Sequence, residues 1–299
     1  MYLPHLLFVC VLSGLNPSVE EAITALEKNA AKITHGRATY TFERSRPDFT
    51  RISSEQVEII FDSNRFAWIE GARRCIWTPK YSMYFESSKL GLPRTPDEAK
   101  AGNILHIDRS PRPIFSPWRF APSTLCFSSS QAVRDVPTSL PVSMRLMAES
   151  RKQKVKVSRQ GGRLIVTATL LDEAVQKSPE LANTKSLIEF DIDKGFTPTL
   201  IEYGVSSEGP FYRQRSSFRL IDNEVWVAES TVIEYWSPTY TRRDMKPTET
   251  IKLNEIDLKY QPNEESFLLD WIAPPIGTRV QDKINRTEFQ YGIEDPQKN

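Results

Sequence analysis

The sequence predicts a mainly β protein of the α+β type: an antiparallel meander forming an open, incomplete β-barrel that wraps one N-terminal amphipathic helix. Three observations carry this expectation. Apolar residues alternate with polar ones at period two through most of the chain after residue 37. Tight-turn chemistry separates those runs, most clearly in Leu187–Tyr203, where two β-type runs flank Asp193-Lys194-Gly195 and Pro198 marks the entry of the second. One early stretch alone changes its period to that of a helix.

That helix follows Ser18-Val-Glu-Glu21, whose spacing suits a capping box with Ser18 as N-cap. Val19, Ala22, Ile23, Leu26, Ala30 and Ile33 recur at three- and four-residue steps and give one apolar stripe. His35-Gly36 is the expected stop. Ahead of it, Leu6–Leu12 is too short to span a bilayer but suits the core of an export signal, with Ser13 and Gly14 as small residues near cleavage. Residues 1–14 are therefore expected to be a signal peptide and 15–299 one β domain, exported to the periplasm or cell envelope.

The first meander runs through Ala38, Tyr40 and Phe42, then Val57, Ile59 and Phe61, where Ile60 breaks the alternation. Arg65–Glu70, Arg74–Trp77 and Tyr81–Phe85 continue it. Residues 87–150 carry eight prolines, at 93, 96, 111, 113, 117, 122, 137 and 141, which predict an excursion packing over the sheet. A strand-like Leu105–Ile107 and a short helix at Val142–Glu149 lie within it. The second meander opens with Lys154–Val157, turns at Gly161-Gly162 and continues through Arg163–Leu170. The marked hairpin follows, then Phe211–Leu220, a turn at Ile221–Glu224, Val225–Trp236 and Thr248–Tyr260. The apolar phase slips between Leu253 and Ile256, which predicts a bulge. The tail, about 261–299, has enough aromatic residues to dock.

Composition narrows the function classes. The chain has 299 residues, 39% apolar and 26% charged, with a net charge of +1. That balance offers no basic face for nucleic acid. His35 and His106 stand apart, and His106 with Asp108 is the nearest approach to a metal site. Asp191 and Asp193 begin like a calcium loop but lack its later acidic ligands. Gly204–Gly209 misses the spacing of a serine-hydrolase elbow. No catalytic residue, metal or cofactor is assigned. Once a signal is removed, Cys75 and Cys126 remain; they can form one disulfide or stay as two buried thiols.

The order of elements, with the stretches Phe190–Pro198 and Phe218–Val227, resembles the lipoprotein-carrier fold of bacterial periplasmic outer-membrane lipoprotein-sorting proteins. The resemblance implies an open barrel over helices whose apolar hollow takes acyl chains. On that basis the expected function is non-enzymatic binding of an acyl chain, a lipid or a lipidated partner. Leu26, Phe66, Trp68 and Trp77 are the expected ligand wall. The alternatives are an envelope interaction module with a filled barrel, meeting another envelope protein, and a hydrolase built on scattered carboxylates.

Overall fold

The computed structural model describes residues 17–45, 53–62, 65–71, 73–87, 103–109, 140–149, 153–170, 185–205, 210, 212–235 and 248–293. The expected signal segment lies outside them, as do most of the proline-rich stretch and Cys126.

Helix α1 (Pro17–Ala30) comes first. Five strands follow: β1 (His35–Ser45), β2 (Ser53–Asp62), β3 (Arg65–Glu70), β4 (Arg73–Trp77) and β5 (Ser82–Ser87). Then come β6 (Asn103–Asp108), helix α2 (Leu140–Glu149), β7 (Gln153–Gln160), β8 (Arg163–Leu170) and β9 (Lys185–Asp191). The second meander ends with β10 (Thr197–Val205), β11 (Tyr212–Ile221), β12 (Val225–Tyr235) and β13 (Thr248–Asp257). A 3-10 turn (Glu264–Phe267), helix α3 (Leu269–Ile272), β14 (Arg279–Asp282) and β15 (Thr287–Gln290) complete the order.

Among the described residues these strands form one sheet in the order β15-β14-β6-β5-β4-β3-β2-β1-β13-β12-β11-β10-β9-β8-β7. The two meanders join where β1 pairs with β13, and the ends at β15 and β7 do not meet. The sheet is thus open, and α1 packs on one of its faces, as the sequence predicts. All neighbours are antiparallel except β14, which enters parallel to β6. That entry corrects the reading of residues 103–108 as part of an overlying excursion: Leu105 and Ile107 sit in the sheet itself.

Turn chemistry explains the hairpins. Asp222 and Asn223 both take positive φ, 50° and 58°, and Glu224 N–H donates to Ile221 O at 2.9 Å. This is the mirror-image turn whose twist matches antiparallel strands. The bulge is also present: Thr39 faces Glu255 and Tyr40 faces Leu253, leaving Asn254 extra.

Two local expectations change. α1 begins at Pro17, so Ser18 lies within its first turn, where a proline at the first helical position is well tolerated. It ends at Ala30, and Gly36 belongs to β1 instead of capping the helix. Gly36 is needed there because a Cβ would lie 2.6 Å from Asp257 O and 2.9 Å from a Phe61 ring carbon, at φ 151°. Gly36→Ala is expected to lower stability by about 1–3 kcal/mol, read as a lower urea midpoint with unchanged slope.

Candidate functional site

The strands have two faces, and each is buried by a different partner. The inner face of β1–β4 and β8–β13 packs with α1 and α2 into one apolar cluster. α1 contributes Val19, Ala22, Ile23 and Leu26, its predicted stripe, and α2 contributes Leu140 and Met144. The opposite face of β2–β6 packs under the C-terminal segment through Ile60, Ile76, Phe85, Leu105, Phe267 and Val280.

Of the four wall residues, Leu26, Phe66 and Trp68 belong to the inner cluster and Trp77 packs against it half-exposed. The Phe66 and Trp77 rings lie 6.1 Å apart between centroids, tilted by 46°. Leu26 and Trp68 are each 1% exposed. Phe66 and Trp77 are thus neighbours, and Leu26, Phe66 and Trp68 share one large buried cluster. Cys75 shares this cluster as a free thiol, and burial pushes its pKa up to about 12. Its proposed partner Cys126 is outside the described residues.

The helices are fastened unequally. Near the C-terminal end of α1, Asn29 Nδ2 donates to Trp226 O at 2.8 Å and Asn29 Oδ1 accepts from Trp226 N–H at 2.9 Å. Lys32 Nζ adds a bond to Glu224 O at 2.9 Å. Surface ion pairs join the helices to each other and to β7, while the buried stripe of Val19, Ala22, Ile23 and Leu26 holds α1 on the inner cluster. Arg145 of α2 reaches Glu20 at 3.3 Å and Glu27 at 3.0 Å, and Arg159 of β7 meets Glu21. Sequence reasoning missed Asn29, although a signal was there: it stands three residues after Leu26, on the apolar stripe, where a buried amide needs a partner.

At the strand ends away from Trp226, the inner face turns polar. Tyr212 OH donates to Gln214 Oε1 at 2.7 Å, and Gln214 Nε2 donates to Ser216 Oγ at 3.2 Å. Ser216 and Thr231 hydroxyls lie 3.0 Å apart, and Arg44 Nε donates to Glu249 Oε1 at 3.1 Å. These groups satisfy one another, so the polar belt stays buried without an uncompensated charge.

The other residues weighed from sequence have structural partners. Asp191 accepts from Lys194 N–H at 3.3 Å within its turn, and Ile192 N–H donates to Gly162 O at 2.8 Å. His35 lies 2.8 Å from Gln261 Nε2. Asp108 sits 3.3 Å from Lys283, and burial together with that ammonium holds His106 below its ordinary pKa. Among the described residues, no group of three or more His, Cys, Asp or Glu could hold a metal ion. No helix among them is long and apolar enough to cross a membrane.

Two measurements check this geometry. Asn29→Ala, which deletes both bonds to Trp226, should cost about 2–3 kcal/mol in chemical denaturation. Arg145→Ala should cost under about 1 kcal/mol because its pairs face solvent. Cys75 should resist iodoacetamide at neutral pH in the folded chain and react once urea unfolds it, which peptide mapping would reveal.

No protein-family model matches the chain, and no curated protein matches its sequence. Solved structures similar to it include a LolA superfamily protein from Nitrosomonas europaea, 10% identical, covering 84% of this chain and 99% of that one, with a TM-score of 0.42. Another is a putative outer membrane lipoprotein-sorting protein domain from Vibrio parahaemolyticus, 8% identical, over 85% and 99% of the two chains, with a TM-score of 0.40. A third is a DUF1329 family protein from Desulfovibrio piger, 8% identical, over 85% and 98%, at 0.41.

Proposed function

We propose that this chain is an exported, non-enzymatic binding protein of the bacterial envelope that takes an acyl chain, a lipid or a lipidated partner between its helices and the inner face of the sheet. The observation that carries the reading is one continuous apolar interior covered by helices that are packed on it side chain to side chain, outside the backbone ladder of the sheet. Leu26, Phe66, Trp68 and Trp77 would line the occupied hollow. The signal-like Leu6–Leu12 run supports export.

Magnitudes set what such an exchange requires. Each surface pair contributes at most about 1 kcal/mol, and two of the three join α2 to α1 while Arg159–Glu21 alone of them reaches a strand. The larger cost of lifting the cover is therefore uncovering Val19, Ala22, Ile23 and Leu26. A guest must bury a comparable apolar area, at ~0.8 kcal/mol per methylene. A ligand that replaces the helix side chains also re-covers the aromatic wall. Asn29 would keep the far end of α1 on β12, so the cover would swing and not detach.

The second reading, an interaction module with a filled interior, is favoured by the near-complete burial of Leu26 and Trp68. Native mass spectrometry of the mature chain, purified from the envelope without detergent, separates the two. A mass excess that leaves on denaturation and proves to be an acylated species is the expected result. An apo mass that stays unchanged with added fatty acid and phospholipid would reject carriage. Leu26→Trp, which overfills the interior at a cost of about 1–3 kcal/mol, should abolish uptake while the chain still folds.

A further inference from the structure

The two edges of the sheet are built to opposite rules. β7 carries Lys154, Lys156 and Arg159, the charged side chains that ordinarily keep a free edge from pairing. β15 reads Thr287-Glu-Phe-Gln290, without lysine, proline or bulge, and all four residues are exposed. Its one charge is already met, since Arg279 Nη2 donates to Glu288 Oε2 at 2.7 Å. Large apolar side chains gather beside it: Ile276 is 78% exposed, Ile293 50% and Phe289 43%. Ile276 lies against Gly292 and Ile293 against Gly277, so these side chains flank the end of the β14–β15 ribbon.

The outer backbone offers groups for pairing: the Gln290 carbonyl takes one bond, from Ile293 N–H at 3.4 Å, and has a second lone pair to offer. Tyr291 N–H donates inward to Thr278 O at 2.9 Å, and its carbonyl accepts from Gly277 N–H at 2.8 Å. Antiparallel ladders alternate, so Thr287 and Phe289 also bond inward, and Glu288 and Gln290 turn their amides outward. Among the described residues no strand meets that side.

We infer that β15 is a homodimerisation edge, on which a second copy of this chain lays its own β15 antiparallel across a two-fold axis. Charge selects the register. Pairing centred on Glu288 would oppose two carboxylates. Pairing centred on Phe289 sets Glu288 opposite the second copy's Gln290, twice by symmetry, so a carboxylate meets an amide. It also places the two Phe289 rings side by side at a close, non-hydrogen-bonded position on the face shared with Val280. The ribbon is short, so the contact is small and the dimer weak and concentration-dependent.

Sedimentation velocity of the mature chain from micromolar to millimolar concentration tests this, with Gln290→Pro and Phe289→Lys alongside. Gln290→Pro deletes an outward N–H and leaves the inward bonds of Phe289 and Tyr291 in place. Phe289→Lys puts like charges at the two-fold. The expected result is a wild-type shift toward twice the monomer mass that both variants lose, with circular dichroism melting curves unchanged. Should one variant unfold, the other decides. A wild-type chain that stays monomeric throughout, or a dimer that either folded variant retains, overturns the inference.

Discussion

The rest of this structure depends on one constraint: strands β2–β4 must bury both of their faces at once. Ile59 and Ile60 are neighbours in sequence and both are buried, one against the helices and the other against the C-terminal segment. The same holds along β3, where Phe66 and Trp68 point inward and Ala67 outward. A strand with two apolar faces in an antiparallel sheet cannot leave either side to water. The chain therefore needs two covers, and it supplies them from its two ends, α1 before the sheet and residues 264–291 after it.

The second cover is fixed by buried and charged ties together. Arg65 stacks over the Phe267 ring at 4.4 Å and donates to Glu264 Oε2 at 2.7 Å. Tyr81 OH donates to Phe267 O at 3.1 Å, and Arg74 donates to Ile272 O. β14 then slots in beside β6, where Lys283 N–H donates to Ile107 O at 2.9 Å. Extending the sheet in this way leaves β15 as its new edge.

Much of this was legible in the sequence because much of it is local. Helix periodicity, the Gly161-Gly162 and Asp222-Asn223 turns and the slip at Asn254 are short-range signals, and each sits where the pattern puts it. What stayed hidden is non-local. The parallel pairing of β14 with β6 joins Gln281 to His106 across the sheet, and no alternation within either strand announces it. Ile60 was the visible trace, an apolar residue out of phase that makes sense only once a second core is known. Of the site, the helical cover was legible from its apolar stripe, whereas what fastens it to the sheet by hydrogen bonds was not. Asn29 stands on the same stripe, and nothing local to the helix places Trp226 opposite it.

The contrast between the two covers bears on which of them can move. The C-terminal segment is continuous with the sheet through β14, so lifting it breaks a backbone ladder as well as apolar contacts. α2 has no ladder to the sheet, and α1 is held by Asn29 near one end, by its buried stripe of Val19, Ala22, Ile23 and Leu26, and by exposed ion pairs to α2 and β7. Removing hydrogen-bonded backbone from a sheet leaves buried amides unpaired, whereas separating a surface ion pair returns both charges to water. The easier motion thus belongs to the helical cover, and it exposes the inner face, where Phe66, Trp68 and Trp77 lie, before it exposes the outer one. A single sheet with two cores thus ties the cover of one core into its own backbone ladder and leaves the other under helices that stand outside that ladder.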